Sequence, residues 1–345
     1  MQGSPRLTPQ LDALALRLGD DLSVEWWGYE QLADLADERQ RAIVSDQILA
    51  TVDAVLTNLR EASDHLAAFV TLVGPNGRPM PDPARPRETQ EMHDLDREMI
   101  GFFRAAGSVL DCLAGAAIGV LRLPFSIQRA DAGALGRIAE LAASSQGGSA
   151  LVWREASQAV DDVRAATPQG WFEWALEMRN AVVHRARQLR VWLPRATRRP
   201  GQPQLLVRTQ HPVHRLVRYE PHLRRHPWLP DLAALAARGE AGDNWLPEPA
   251  TVTLPGILGR IEQMTESVAE TMVRVWDDAG AGRLQLAAPA AAWLPEHGSP
   301  AWRVAAAGEF VGFEPETQGP PLTAIVMNPR DARRAQIAER MRSQE

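Results

Sequence analysis

Lysine is missing from this chain, and all 37 basic residues are arginine. A phosphate-cradling glycine-rich loop that ends in lysine is therefore excluded. No GxSxG, CxxC or HExxH string occurs either, so dinucleotide-binding, kinase and zinc-protease readings have no support. Cysteine occurs once, as Cys112 inside an apolar helical pattern, where a buried thiol is expected. One cysteine allows no disulfide framework within the chain. Long apolar runs are also missing. The longest, Cys112 to Leu121, is too short to span a bilayer, so no membrane partner is expected. The opening MQGSPRLTPQL lacks a basic start followed by an apolar run, which predicts no signal peptide and a cytoplasmic location. The net charge of −6 argues against a protein that coats nucleic acid over its whole surface.

What is present is mostly helical periodicity over 345 residues, enough for one to three domains. Thr8-Pro9 reads as a helix start, and Trp26-Trp27-Gly28-Tyr29 as an aromatic cluster that packs on the next helix, with a stacking platform for bases as the alternative. Asp37 to Val73 is predicted as one long helix, with Ile48, Val52, Val55, Leu59, Ala62, Leu66, Phe69 and Val73 forming a bundle seam. Glu88 to Leu121 is a second, whose Ala114, Gly115, Ala116 and Gly119 permit close helix approach. His93-Asp94 near its start reads as a solvated first turn. Shorter helices are expected near Asp131–Ser144 and Gly148–Ala166, and a long one over Leu254–Ala279. Between Pro194 and Pro249, proline and glycine are frequent. Two β-like runs there, 204–210 and 213–220, suggest a hairpin, and 231–237 a short helix. Short strands near 302–307, 310–313 and 323–327 and a charged helix over 331–343 complete the expectation.

The most distinctive stretch is Trp171 to Leu193, read as one helix between Gly170 and Pro194. Ala175, Met178, Val182, Ala186, Leu189 and Leu193 make its apolar stripe. Glu173, Glu177, Asn180, His184 and Arg187 recur on the opposite side. The string Arg179-Asn180-Ala181-Val182-Val183-His184 resembles the signature of the HEPN superfamily: arginine, a polar residue, a short apolar filler, then histidine. A looser likeness covers roughly residues 88–279. The resemblance implies a small all-helical dimerising unit. It also implies a metal-independent ribonuclease of a toxin–antitoxin or phage-defence system, without cofactor. Arg179, Asn180 and His184 are then the catalytic set, RNA and a second copy of the chain the partners, and an antitoxin or regulatory protein a further one. The alternative is a non-catalytic HEPN-like dimer that binds RNA, a nucleotide or a protein.

The residue types suit that chemistry. Metal-free RNA cleavage uses the neighbouring 2′-hydroxyl as nucleophile and needs a base, an acid and a cation for the charge on phosphate. Imidazole serves as acid or base near neutral pH. Guanidinium offers a planar fork to phosphate oxygens, and Asn180 can orient His184 or bond the phosphate. One histidine cannot be acid and base at once, so two protomers are implied. Arg179 and His184 lie roughly 140° apart on an ideal helix, an objection that a site shared between two helices relaxes.

From Arg179 to His226 the chain holds twelve arginines and one acid, Glu220. Such a block predicts phosphate contacts at Arg185, Arg187, Arg190, Arg198, Arg199, Arg215 and Arg218. His211, His214, His222 and His226 fall in the same region at a spacing that could ligate a metal, but without cysteine and among arginines they read first as a basic, pH-sensitive patch, with a zinc site as the alternative. The expected fold is mainly α: a helical bundle with a HEPN-like core, a basic β-hairpin-like insertion and a small irregular C-terminal region. The expected ranges are 1–78 for an N-terminal helical region, 79–280 for the HEPN-like domain with its insertion at about 194–250, and 281–345 for the tail.

Overall fold

The structure is a computed structural model and describes residues 8–22, 27–32, 38–78, 86–145, 147–185, 190–194, 218–225, 244–288 and 293. The fold is mainly α. The helices are α1 (Pro9–Asp21), α2 (Trp27–Glu30), α3 (Glu38–Val73), α4 (Pro86–Val120), α5 (Ala132–Ser144), α6 (Gly148–Arg164), α7 (Trp171–Arg185) and α8 (Ala250–Gly280). A small antiparallel sheet has the order β1 (Arg190–Pro194), β2 (Tyr219–Arg224), β3 (Trp245–Pro249).

Contacts divide the chain into two compact units. One holds Met1–Thr8, Ala54–Asp111 and Gln158–Ser267; the other holds Pro9–Asp53, Cys112–Ser157 and Val268–Glu345. These segments interleave along the chain. Helices α3, α4, α6 and α8 each contribute residues to both units, and a shift in composition marks a loop but not which helix segments pack together.

In the second unit the core is built on leucines and tryptophans. Leu11, Leu14 and Leu18 of α1 are buried at three- and four-residue spacing. Trp27 lies against Trp276 with ring centroids 4.6 Å apart, and the Trp276 indole N–H donates to Asp21 at 2.8 Å. The expected partner is the next helix in sequence; the ring contact of Trp27 is instead with α8, far along the chain. On α4, a Cβ at Gly115 would lie 2.8 Å from Thr51, and the nearest neighbour of Gly119 is Ile48. The small residues therefore let α3 approach α4 at backbone distance, and because 51 meets 115 while 48 meets 119 the two run antiparallel. Asp131 caps α5 by accepting from the Ala134 N–H at 3.0 Å. The indole N–H groups of Trp153 and Trp293 donate to the carbonyls of Leu121 and Leu123, each at 2.8 Å.

In the first unit α3 presents buried Val55, Leu59, Ala62, Phe69 and Val73, as the seam predicts, with Leu66 only partly covered. Gly101 of α4 lies directly against the His65 ring of α3. His65 donates from Nδ1 to Glu98 at 2.8 Å, and Arg97 holds the other Glu98 oxygen at 2.7 Å. His93 is exposed. Burial pushes the Glu98 carboxyl up, but the hydrogen bonds from His65 and Arg97 outweigh it and hold Glu98 below its usual value of 4.5. A depressed native pKa stabilises the fold fully above 4.5, and that stability is lost as the pH falls further. Glu98→Gln is thus expected to be less stable than wild type near neutrality, with the difference in urea midpoint closing between pH 5 and pH 3. A constant difference across that range would show that Glu98 does not titrate with folding.

By composition alone, Thr89–Val120 within α4 is long and apolar enough to cross a membrane, with a hydropathy of 1.4 in its richest window. However, 78% of that window is buried inside the protein, as in the core helix of a folded domain.

Two expectations of extent are corrected. α7 does not reach Leu193 but ends at Arg185, and Arg190–Pro194 is a strand paired with β2 in the register Arg190↔Leu223 to Pro194↔Tyr219. Val191, Trp192 and Leu193 favour a strand once a partner is available, and that partner lies some thirty residues on. α8 begins at Ala250, before the expected Leu254. β3, at the sheet edge, accommodates Pro247 and Pro249 because an edge strand can lack a donor. The expected hairpin runs lie outside the described residues except for 218–220, of which Tyr219 and Glu220 fall in β2. The short helix over 231–237 and the C-terminal strands and helix also lie outside them.

Candidate functional site on the motif helix

α7 starts where Gly170, with φ +76°, turns the chain in a conformation that favours glycine. Its first turn is fastened from two sides. The Trp171 indole N–H donates to the Val163 carbonyl at 2.9 Å. Arg164, at the end of α6, lies over the Phe172 ring at 5.0 Å and binds Glu173 at 2.6 Å. Burial pushes the Glu173 carboxyl up, but Arg164 and a backbone hydrogen bond hold it below the usual carboxylate value.

The core face is the expected one for the part of the helix that forms. Ala175, Met178 and Val182 are buried, and Trp171, Phe172 and Ala181 widen the buried face. Glu173 is exposed, and Glu177, Arg179 and Asn180 are half-buried. Trp174 meets Phe103 of α4 edge-on at 6.1 Å and donates its indole N–H to the Arg224 carbonyl of β2 at 3.0 Å. Arg224 lies over Trp245 of β3 at 5.9 Å. The motif helix is thereby tied to both α4 and the sheet.

Arg179 does not extend freely into solvent. Its stem runs over Gly107 of α4, where an added Cβ would lie 2.8 Å from Cγ, 2.9 Å from Nε and 3.1 Å from Cδ. Beyond that point Nη2 donates to Asp111 at 2.6 Å, in a pair whose side chains are 27% and 22% exposed. The pairs Phe103–Trp174 and Asp111–Arg179 advance the same way along both helices, so α4 and α7 run parallel there. Among the described residues Nε and Nη1 of Arg179 have no hydrogen-bond partner, and neither does the Asn180 amide. Arg104, Ser108 and Asp111 line the more open side of α4 at helical spacing.

Of the expected catalytic set, Arg179 and Asn180 are neighbours on the half-open side of α7. His184 lies on the same helix one turn beyond Asn180, but its side chain falls outside the described ones. So do the side chains of Arg185 and Arg190, and Arg187, Arg198, Arg199 and Arg215 lie outside the described residues altogether. Arg218 is exposed. In the histidine group, His222 is buried and donates from Nδ1 to the Leu246 carbonyl at 3.0 Å, while His211, His214 and His226 lie outside the described residues. No group of three or more potential metal ligands occurs among the described residues. The residues that the motif alone does not disclose are Gly107 and Asp111. The available signal was an acid set within the apolar run Val109-Leu110-Asp111-Cys112-Leu113. No family model matches the chain, and no curated protein or solved structure is significantly similar to it.

Proposed function

We propose that this chain is a metal-independent endoribonuclease of the HEPN type, acting at a site shared between two protomers as a toxin or phage-defence effector. The observation that supports this most is the state of Arg179. It is fixed through one nitrogen to Asp111 and, among the described residues, its other donors and the adjacent Asn180 amide have no hydrogen-bond partner, on the helix that carries His184 one turn on.

In this reading a base removes the proton of a 2′-hydroxyl, and the 2′-oxygen attacks the adjacent phosphorus. The P–O5′ bond breaks, and an acid protonates the departing 5′-oxygen. The products are a 2′,3′-cyclic phosphate and a 5′-hydroxyl. His184 of one protomer and His184 of the other divide the acid and base roles. Arg179 bears the charge that grows on the phosphate oxygens, and Asn180 orients the imidazole or the phosphate. The surrounding arginines track the flanking backbone.

The test is total RNA incubated with purified protein in EDTA, wild type beside His184→Ala, on a denaturing gel. Wild type is expected to cleave, and the variant to be slower by about 10²-fold or more. Cleavage untouched by the substitution, or a strict monomer in sedimentation at micromolar concentration, overturns the shared-site reading. A neutralised Arg179–Asp111 pair is also what a packing arginine makes. That favours a second reading, a non-catalytic dimer that binds RNA, a nucleotide or a protein partner. It is separated from the first by RNA binding without cleavage.

A further inference from the structure

We infer that Asp111 and Gly107 of α4 form a positioning device for Arg179, aiming one guanidinium edge at an RNA phosphate; the inference rests on the nuclease reading above. Nη2 carries two hydrogens, one on the edge shared with Nε and one on the edge shared with Nη1. Of the Arg179 nitrogens only Nη2 donates to Asp111, so the carboxylate engages one edge of the guanidinium and leaves the other with two parallel donors. That remaining edge matches two oxygens of a phosphate.

Gly107 supplies the second constraint. With any larger residue there, the Arg179 stem must shift away from its present path, because a Cβ would meet Cγ, Nε and Cδ within 3.1 Å. The guanidinium is held in direction by the carboxylate and in height by the missing side chain. A flexible arginine loses rotamer freedom when it binds phosphate; this one has lost it already. Asp111 touches no reacting atom in this scheme and acts only through Arg179. Exposure supports the arrangement: both partners are about a quarter exposed, so the pair is reachable but not adrift in solvent.

The test uses the full chain, with Asp111→Ala, Asp111→Asn, Gly107→Ala, Arg179→Ala and the double variant Asp111→Ala/Arg179→Ala. Cleavage is read as kcat and KM in EDTA. Binding of an uncleavable 2′-O-methyl RNA is read by anisotropy across a salt series. Asp111→Ala and Gly107→Ala are expected to lower kcat by about 10- to 100-fold with KM little changed, as for a misplaced group. Asp111→Asn should recover part of the loss, since its amide oxygen still accepts from Nη2. The double variant should be no slower than Arg179→Ala alone.

If Asp111→Ala cleaves at the wild-type rate, or binds RNA more tightly and cleaves faster, the positioning role is overturned; in the second case Asp111 is a competing acid. If wild type does not cleave, the nuclease reading fails and binding decides. A salt slope reduced by about 1 in Arg179→Ala, and equally in Asp111→Ala and Gly107→Ala, keeps the positioning role. Unchanged slopes remove it. Alanine favours a helix over glycine, and if Gly107→Ala still fails to fold, the two Asp111 variants carry the test.

Discussion

Trp276→Ala is expected to lower the unfolding free energy by about 3–5 kcal/mol, read as a shift of the urea midpoint at unchanged slope. The ring is 1% exposed. It lies against Trp27 at 4.6 Å with the rings tilted by 47° and holds Asp21 through its N–H, and a Cβ at Gly28 would come within 2.8 Å of it. Truncation removes all of these contacts and leaves a cavity that the surroundings fill only in part. Domains are stable by only about 5–15 kcal/mol, so this loss is a large part of the total. Trp276→Phe keeps a ring and loses the hydrogen bond, and should cost nearer 1 kcal/mol plus a packing defect. A Trp276→Ala midpoint within error of wild type would mean that the second unit is not held by this aromatic pair.

Arg179→Lys is the counterpart at the candidate site. The charge survives, but the planar fork does not. One ammonium cannot bond Asp111 and also present two parallel donors to a phosphate. If the chain is the nuclease proposed above, the expected result is a fall in kcat of about 10²- to 10³-fold, the scale on which a single oxyanion donor acts. RNA affinity should change far less, because the phosphate still meets a positive charge. A Lys variant within threefold of wild type would show that charge alone suffices and that the guanidinium edge has no part in the reaction.

Much of the helical architecture was legible in the sequence. The seam Ile48-Val52-Val55-Leu59 and the glycines at 115 and 119 report burial and close approach directly, because helical spacing turns a local pattern into a face. The motif helix was legible on its core side, through Ala175, Met178 and Val182. Its end was not. Arg190-Val191-Trp192-Leu193 satisfies helical and extended patterns alike, and the strand exists because β2 supplies partners from a distant stretch. The same limit hides Asp111. Its sequence shows an acid in an apolar helix, but its meaning lies in Arg179, 68 residues away. Pairings over such separations are fixed by packing, which one-dimensional periodicity does not encode.

Gly101 and Gly107 give α4 a property that neither its length nor its apolar face conveys. Six residues apart, they point roughly 120° from one another. His65 of α3 occupies one gap and Arg179 of α7 the other. A helix slotted on two sides behaves as a keyed shaft. Rotated, it drives a side chain into one of the slots; slid by a turn, it sets Phe103 or Asp111 beneath the arginine stem. The direction in which Arg179 points is therefore inherited from the axial and angular setting of a helix that carries none of the motif. Sequence drift on α7 can alter what surrounds the arginine, but re-aiming it requires re-cutting α4.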